Sequence, residues 1–243
     1  MGIAVEIAVQ DVVGVRVALA GGADRVELCS ALGMGGLTPS AALIAGAVAE
    51  ARDTGRDGFV HVLVRPRGGG FVYDADEVAL TVADVRFARE AGAAGVVVGA
   101  LNDSGAVDAE AVAAIVDAAG PLSVTFHRAI DVAPDPVRAA ERLAELGVAR
   151  ILTSGGAERS IDGVGMLRQL TDRVGGRVQV MAGGGVRVDD IPEIVATGAD
   201  AVHLSARDAV HGSPSGPGGG AATYDITDAR IVRAAVETAK RRR

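Results

Sequence analysis

The sequence LSVTFHRAID at residues 122–131 runs from β-branched and aromatic residues directly into ionisable side chains. Its first half predicts a strand over residues 122–127, and a helical pattern follows. The predicted strand ends in His127, and Arg128 and Asp131 come directly after it. In repeated β-α folds the carboxyl ends of the strands form the face that binds ligands. We therefore expect these three side chains at such a face if the rest of the chain repeats the pattern.

The same alternation of a β-rich run and an alanine-rich helical run recurs along the whole chain. Strands are predicted at residues 4–8, 24–29, 59–64, 95–99, 122–127, 150–153, 177–182 and 201–205. Helices are predicted at residues 11–20, 39–53, 76–91, 108–118, 135–146, 160–174, 189–197 and 225–242. Apolar strands separated by helices indicate a parallel sheet covered by helices. Eight such units in 243 residues favour an α/β fold of the closed (β/α)8 TIM-barrel type over an open sheet, as one domain over residues 1–243.

Two segments depart from this pattern. Residues 206–224 are predicted to form a glycine- and proline-rich loop after the eighth strand, with the sequence HGSPSGPGGG at residues 211–220. This loop is either a mobile lid over the ligand-binding face or a solvated insertion. The chain ends in a basic tail at residues 240–243, interpreted as a frayed end that complements the dipole of the last helix.

Composition argues against several classes of protein. A net charge of −7 disfavours nucleic-acid binding, which needs a basic surface. No apolar run reaches the roughly 18 residues of a membrane span, and the first residues do not read as a signal peptide. The single cysteine, Cys29, excludes an internal disulfide and is typical of a reducing compartment, so we expect a cytoplasmic protein without a membrane partner.

The chain has one lysine, Lys240, and it lies in the tail. Schiff-base aldolases and pyridoxal-phosphate enzymes need a lysine inside the site, so both classes are disfavoured and no organic cofactor is indicated. The metal-binding patterns CxxC and HExxH do not occur in the sequence, but Glu27, His127 and His203 would form a mononuclear site if the geometry brought them together. Cys29 is a lone thiol and a second candidate metal ligand. The alternative is that Cys29 is a small buried hydrophobic residue.

Ionisable residues collect at the predicted strand ends. The alternation of side chains along strands points Glu27, Arg65, His127 and His203 together into the mouth of the barrel. A carboxylate beside arginines stays ionised and a histidine transfers protons near neutral pH. The candidate catalytic residues are therefore Glu27, His127 and Asp131. The alternative is a buried polar layer whose ion pairs only satisfy one another.

A second group of residues predicts an anion site. Glycine-rich loops follow the sixth and seventh strands, and in such barrels the loops after strands seven and eight often bind phosphate through backbone N–H groups. Arginine adds bidentate contacts to phosphate or carboxylate. The candidate ligands of a small anionic molecule are Arg65, Arg67, Arg128, Ser154, Gly155, Gly183, Gly184, Gly185 and His203, with help from Arg207.

Several motifs resemble the CutC copper homeostasis protein family. They are GADRVELC at residues 22–29, GGLTPS at 35–40, VRPRGG at 64–69, VTFHRA at 124–129, LTSG at 152–155 and MAGGGV at 181–186. The resemblance runs from Glu6 to His203 and implies a TIM barrel in a cytoplasmic homo-oligomer. It also implies a role in copper homeostasis with cysteine as the Cu(I) ligand, which is Cys29 in this chain.

Three functions are therefore open from the sequence. The first is a CutC-like role in copper homeostasis, with a copper ion bound at Cys29. The second is a TIM-barrel enzyme of unknown reaction that acts on a small anionic or phosphorylated metabolite by acid/base chemistry. The third is a binding module without catalysis, which would require the polar groups of the mouth to pair only with one another.

Overall fold

Eight parallel strands run in chain order around a closed barrel in the computed structural model, which describes residues 3–213, 216–217 and 222–241. They are β1 (Ala4–Val9), β2 (Arg25–Leu28), β3 (Val60–Leu63), β4 (Gly95–Val98), β5 (Ser123–Phe126), β6 (Arg150–Thr153), β7 (Gln179–Gly183) and β8 (Ala201–Leu204). The last strand pairs in parallel with the first, with Glu6 opposite His203. The prediction of a (β/α)8 TIM barrel is confirmed.

Helices follow the strands and cover the barrel. They are α1 (Val12–Ala20), α2 (Ala41–Asp53), α3 (Ala75–Glu90), α4 (Ala109–Ala119), α5 (Pro136–Glu145), α6 (Val164–Val174), α7 (Ile191–Val195) and α8 (Ala229–Lys240). Several begin after an aspartate or serine whose side chain accepts a backbone N–H of the first turn, as Asp11, Ser40 and Asp135 do. Such capping residues explain why most helix starts could be predicted within a few positions.

The loops that leave the carboxyl ends of the strands contain structure of their own. Short 3-10 helices lie at Leu32–Met34, Arg128–Val132, Ser160–Gly163 and Val188–Asp190. These turns follow β2, β5, β6 and β7, respectively. The face on which the sequence predicts ligand binding is therefore built from short ordered turns as well as from strand ends.

The main hydrophobic core lies between the strands and the helices. Inside the barrel are two small apolar clusters, Cys29–Leu63–Val97 and Leu152–Met181–Ala201. The interior also holds buried polar side chains, namely Glu6, Arg25, His61, Thr125 and Arg150. Buried charges are costly unless they are paired, and the carboxylate of Glu6 pairs with the guanidinium of Arg25. A polar layer inside the barrel therefore exists beside the residues of the mouth.

Two glycines make room for histidine rings inside the barrel. A Cβ atom on Gly95 in β4 would lie 2.2 Å from Nδ1 of His61. A Cβ atom on Gly99, directly after β4, would lie 2.2 Å from Cε1 of His127. Folded proteins do not contain contacts this close, so both ring positions depend on the missing side chains.

The segment after β8 differs from the prediction. An antiparallel hairpin of β9 (Arg207–His211) and β10 (Thr223–Thr227) occupies both ends of the predicted loop over residues 206–224. The helix predicted from residue 225 is wrong in its first residues, because α8 begins at Ala229 after the capping residue Asp228. Within the predicted lid or insertion, residues 214–215 and 218–221 lie outside the described residues.

The predicted basic tail is only partly described, because residues 242–243 are outside the described ranges. Lys240 is the last residue of α8, and its ammonium group donates to the backbone oxygen of Gly22 at 3.1 Å. No helix in the described part of the chain is both long and apolar enough to cross a membrane.

Candidate functional site

A cavity of about 250 Å³ opens at the carboxyl ends of the strands, and we call it the mouth cavity. Its polar lining consists of Glu27, Arg65, His127, Arg128, Gly184, Gly185, His203, Ser205 and Arg207. Its apolar lining includes Leu32, Leu63, Phe71, Leu152, Val186 and Leu204. The structure thus brings together the four side chains that strand alternation pointed into the mouth. The volume lies below the roughly 300–1,000 Å³ of pockets that hold drug-sized ligands, so it suits a small metabolite.

A network of ionisable side chains lies along the floor of the mouth cavity. The Nδ1 atom of His203 lies 2.7 Å from a carboxylate oxygen of Glu6, and its Nε2 atom lies 3.8 Å from Oε2 of Glu27. The other carboxylate oxygen of Glu6 pairs with Arg25. Arg25 in turn contacts Nδ1 of His61 at 3.2 Å. His203 is therefore held between two carboxylates, one facing the cavity and one below it.

Burial and neighbouring charges determine the protonation of the side chains in this network. Burial raises the pKa of Glu27, and the effect outweighs the opposing influence of His203. Burial alone would lower the pKa of His203, but the carboxylates of Glu27 and Glu6 outweigh it and raise that pKa. Burial also opposes ionisation of Glu6, yet Arg25 and His203 hold its pKa far below the usual range. The result is a permanent anion at Glu6, a cationic imidazole favoured at His203, and a carboxyl at Glu27 that accepts a proton more readily than usual.

The hydrogen bonds and the protonation state of His127 differ from those of His203. Its Nδ1 atom accepts a hydrogen bond from the backbone N–H of Ala129 at 3.1 Å, at the start of the 3-10 helix Arg128–Val132. Its buried Nε2 atom has no hydrogen-bond partner among the described residues. Burial, reinforced by the charge of Arg65, lowers the pKa of His127 to about 3. His127 is thus a neutral imidazole near pH 7, and the proton it carries is on Nε2.

Arg65 brings a positive charge to the cavity wall. Its guanidinium donates to the backbone oxygens of Gly36 at 3.2 Å and Gly69 at 2.8 Å, which are uncharged partners. It also lies over the ring of Phe71, with 5.2 Å between Cζ and the ring centroid. Phe71 packs against His127 as well, with ring centroids 4.9 Å apart. The loop after β3 therefore fixes both the cation and the imidazole.

The loops after β7 and β8 complete the cationic side of the cavity. A Cβ atom on Gly184 would lie 2.9 Å from Cζ of Arg128, so the bare backbone allows that guanidinium to approach. Gly183 likewise leaves room for a side chain, because a Cβ atom there would lie 3.0 Å from Cβ of His203. Arg207 begins β9 and pairs at 2.9 Å with Asp225 across the hairpin. Two arginines and a glycine turn therefore converge at the position where TIM barrels commonly bind phosphate.

Asp131 lies behind the cavity wall instead of lining it. Its carboxylate accepts the backbone N–H groups of Ser154 at 3.0 Å and Gly156 at 3.2 Å. It also accepts the Nε–H of Arg128 at 2.8 Å. Because so many donors already surround it, the geometry favours Asp131 as a residue that positions Arg128 and the loop after β6.

Ser154 and Gly155, predicted as anion ligands, are likewise engaged within the protein. The hydroxyl of Ser154 lies 3.0 Å from both Asp131 and Arg128. The N–H of Gly155 donates to the hydroxyl of Thr153 at 2.9 Å. A Cβ atom on Gly155 would lie 2.4 Å from the backbone oxygen of Gly163, so this glycine is explained by a tight turn.

Arg67, also predicted as an anion ligand, points away from the mouth cavity. Its guanidinium pairs with Glu77 near the start of α3. It also donates to the backbone oxygens of Gly70 at 2.9 Å and Val72 at 2.8 Å. These contacts organise the loop after β3, which carries Phe71.

Cys29, the predicted metal ligand, is buried in the apolar cluster with Leu63 and Val97. Its thiol donates to the backbone oxygen of Val9 at 3.6 Å. Burial, reinforced by Glu27, raises the pKa of the thiol well above its usual value, whereas a copper ligand is the thiolate. Among the described residues, no group of three or more histidine, cysteine, aspartate or glutamate side chains is arranged to hold a metal ion. The surroundings of Cys29 therefore fit the alternative of a small buried hydrophobic residue and do not fit a copper site.

Sequence reasoning missed much of the apolar lining. Leu63 and Leu152 sit on strands at positions where period-two alternation already points inward, so the same signal could have found them. Leu32 and Val186 lie in loops, for which alternation gives no prediction. Apolar side chains thus share the cavity wall with the ionisable groups and limit the access of water.

Comparison with known proteins extends the description of the fold. Thiamine phosphate pyrophosphorylase from Pyrococcus furiosus superposes with a TM-score of 0.62 at 16% identity, covering 98% of this chain and 96% of that one. At this identity the likeness concerns the TIM-barrel fold alone. A CutC protein from Streptococcus agalactiae, described as a copper homeostasis protein, superposes with a TM-score of 0.79 at 31% identity. That match covers 84% of this chain and 98% of the other.

Sequence comparison gives a closer relationship. A family protein CutC from Xylella fastidiosa (strain 9a5c) is 42% identical over 236 residues, which are 94% of this chain and 85% of the relative. A family protein CutC from Bacteroides thetaiotaomicron is 41% identical over 206 residues, which are 84% of this chain and 81% of the relative. The model of the CutC family matches residues 3–208. The chain therefore belongs to the CutC family.

Proposed function

We propose that this CutC-family protein binds a small anionic organic molecule in the mouth cavity and transfers a proton to or from it. The observation that carries the proposal is the composition of one small cavity. It combines the guanidinium groups of Arg65, Arg128 and Arg207 with the Glu27–His203 pair. An anion-binding side next to a proton-transfer pair is the arrangement that acid/base catalysis on a charged metabolite requires.

The arginines account for the anionic part of the ligand. Arg65 donates its hydrogen bonds to carbonyl oxygens, and among the residues that the structure describes no carboxylate pairs with its charge. Arg128 and the turn at Gly184 and Gly185 face the same space. In TIM barrels the loops after the seventh and eighth strands often bind phosphate, and backbone N–H groups contribute there. A phosphate or carboxylate group of the metabolite is therefore expected beside Arg128 and Arg207.

The proton-transfer roles belong to Glu27 and His203. Glu27 is the candidate base, because burial raises its pKa towards the range in which a carboxylate takes up protons efficiently. His203 supplies positive charge beside Glu27, with its Nε2 atom 3.8 Å from the carboxylate. Lys240, at the end of α8, donates to the backbone oxygen of Gly22 and does not line the cavity.

The proposal is tested by calorimetric titration with glycerol 3-phosphate, glycerate and inorganic phosphate. We expect at least one organic anion to bind, and the Arg128→Gln and Arg207→Gln variants to bind it at least tenfold more weakly. The matched control is Arg86→Gln, which removes the same charge from an exposed position on α3, and it should bind like the parent protein. Absence of binding by all three probes, or equal binding by all variants, would contradict the proposal.

The family relationship favours copper as a second candidate ligand, handled as cargo in copper homeostasis. The sequence offers Cys29 for it, although the buried thiol does not fit a copper ligand. Titration of Cu(I) against the parent protein and Cys29→Ala tests this candidate. We expect no difference between them, and a loss of binding in the variant would restore Cys29 as a ligand.

The same relationship supports two expectations about the protein in the cell. We propose that it is cytoplasmic, as its single cysteine suggests, and that it forms a homo-oligomer. Light scattering of the purified chain at several concentrations tests the second expectation. A mass equal to that of the 243-residue monomer at every concentration would contradict it.

A further inference from the structure

The unpartnered hydrogen-bond donor of His127 indicates which kind of molecule the mouth cavity binds. His127 is 6% exposed, and its Nε2 atom is without a partner among the described residues although the side chain lines the mouth cavity. Buried polar groups in folded proteins are nearly always hydrogen-bonded, so a buried donor without a partner in a side chain that lines a cavity points to an acceptor on the ligand. Because Nδ1 is occupied by the N–H of Ala129, the unpartnered Nε2 atom is an N–H donor and not an acceptor.

The surroundings of His127 keep this donor neutral. Burial and the adjacent Arg65 make protonation of the ring unfavourable, and the pKa of about 3 expresses this. A neutral imidazole is a good hydrogen-bond donor to an oxygen on which negative charge develops, because it need not give its proton away. The ring of Phe71 and the missing side chain at Gly99 fix the position of the imidazole. The donor is therefore preorganised.

Glu27 lines the same cavity and is a base, whereas His127 is a hydrogen-bond donor. Its carboxylate has His203 at 3.8 Å and apolar neighbours around the cavity, so it is poorly solvated. A poorly solvated carboxylate is a stronger base than one in water. The cavity thus holds a fixed neutral donor, a base and an anion-binding side within about 250 Å³.

We infer that the ligand is a small carbonyl compound with a phosphate or carboxylate end, and that the protein enolises it. The inference rests on the proposed function and names its substrate class. Glu27 removes a proton from the carbon next to the carbonyl group, and the electron pair of that C–H bond forms a C=C bond. The π electrons of the carbonyl group move onto its oxygen, where the Nε2–H of His127 donates to the resulting enolate. Return of the proton from Glu27 to carbon restores a carbonyl compound, so the step needs no oxidant or further reactant.

The test is proton exchange in D2O, followed by ¹H NMR with dihydroxyacetone phosphate as the probe. We expect the signal of the carbon-bound protons next to the carbonyl group to disappear at least a hundredfold faster than in buffer. Glu27→Gln should abolish the exchange while binding of glycerol 3-phosphate changes less than fivefold. Because the variant is purified in the same way, exchange by a contaminating enzyme would persist in it and would count against the inference.

Two variants of His127 separate a donor from a structural role. His127→Gln keeps an N–H donor, whereas His127→Leu removes it, and circular dichroism establishes that both fold. We expect the leucine variant to lose at least a hundredfold in exchange rate and the glutamine variant to retain more activity, as loss of one donor to an oxyanion commonly costs 10²–10³-fold. The enolate mimic 2-phosphoglycolate should bind the parent protein at least tenfold more tightly than glycerol 3-phosphate, and that preference should vanish in His127→Leu.

The outcomes distinguish the two proposals. If dihydroxyacetone phosphate binds without exchange above that in buffer, the enolisation is overturned while the anion-binding function stands. If equal exchange occurs in His127→Leu and the parent protein, the role of His127 is overturned. If glycerate, inorganic phosphate, the three-carbon phosphates and 2-phosphoglycolate all fail to bind, the proposed function itself fails, and the inference fails with it.

Discussion

Three ionisable side chains of one small cavity have different protonation behaviour because their immediate neighbours differ. His203 lies between two carboxylates, which favour its cationic form. His127 lies beside Arg65 in an apolar wall, which favours its neutral form. Glu27 is buried and has a raised pKa. The sequence predicted His127 as a group that transfers protons, but its surroundings favour hydrogen-bond donation, and in the proposed function proton transfer is assigned to Glu27 and His203.

The dependence of the His203 pKa on Glu27 is the first prediction at the scale of residues. Glu27→Gln should lower the pKa of His203, because the variant removes one of the two carboxylates that stabilise the imidazolium. The sign follows directly, since loss of a negative neighbour makes the cation less favourable. The chain contains four histidines, so the Cε1–H resonance of His203 can be followed by NMR titration. The control is Asp84→Asn, which changes a carboxylate on α3 outside the mouth cavity and should leave that titration in place.

The reactivity of Cys29 provides a second prediction. The residue is fully buried and burial raises the pKa of its thiol, so the reactive thiolate is scarce in the folded protein. We expect iodoacetamide to label the folded chain at least a hundredfold more slowly than the chain in urea. Mass spectrometry gives the labelled fraction, and the single cysteine makes the assignment unambiguous. Rapid labelling of the folded chain would contradict the burial of this thiol and would revive it as a metal ligand.

The residues that could be predicted from the sequence are those whose direction follows from strand geometry. Glu27, Arg65 and His127 alternate with core residues on their strands, and the structure brings them to one cavity. The surroundings of Arg67 and Asp131 could not be predicted. Arg67 pairs with Glu77 in the next helix, and that pairing depends on the path of the loop between them. Local sequence identifies a charged side chain in a loop but does not indicate its partner.

At the scale of elements, Gly95 in β4 and Gly99 directly after it leave space for the rings of two histidines. Gly99→Ala should displace the ring of His127, because its Cβ atom would lie 2.2 Å from Cε1. We expect a loss of about 1–3 kcal/mol in the free energy of unfolding, the usual cost of overpacking a core. Urea denaturation followed by circular dichroism measures it.

The matched control for this substitution is Gly165→Ala in α6, where a new Cβ atom meets nothing within 4 Å. It should change the free energy of unfolding by less than about 1 kcal/mol and in the stabilising direction, since alanine favours helix. Equal effects of the two substitutions would show that the ring of His127 does not need the space at Gly99.

The hairpin after β8 marks the limit of prediction at the scale of elements. The segment TYDIT at Thr223–Thr227 has the aromatic and β-branched residues of a strand, but Asp225 can also be taken for a helix cap. Its strand conformation follows from pairing with Arg207–His211, and such pairing across a glycine-rich connection has no local signal. The eight units of the barrel could be predicted because each repeats a strand and a helix, and most of the helices start after a capping side chain.

At the scale of the whole molecule, folding removes two histidines from water and keeps them uncharged. Burial lowers the pKa of His61 to about 3, with Arg25 adding to the effect, and the pKa of His127 is about 3 as well. In the unfolded chain both take the ordinary value of about 6.5. Between these values the unfolded chain binds more protons than the folded one. The free energy of unfolding must therefore fall as the pH falls from 6.5 towards 3.

The other titrating groups of the barrel interior do not cancel this dependence. Glu6, whose pKa is lowered on folding, adds a loss of stability below about pH 4.5, in the same direction. His203 has a raised pKa, so its contribution is complete below pH 6.5 and is lost only as the pH rises through the folded value. Glu27 has a raised pKa and opposes the trend in the acid range.

From pH 7 to pH 5 each of the two neutral histidines should lower the free energy of unfolding by about 2 kcal/mol, so we expect a fall of roughly 4 kcal/mol less the contributions of Glu27 and His203, whose raised pKa values both oppose the fall in this range. Urea denaturation at the two pH values measures the difference. In His127→Gln the fall should be smaller by about 2 kcal/mol, because one of the two groups no longer titrates. His211→Gln is the matched control, since it removes an exposed histidine on β9 and should leave the fall unchanged. An equal fall in all three proteins would mean that the barrel does not hold His127 neutral, and the preorganised donor would be lost with it.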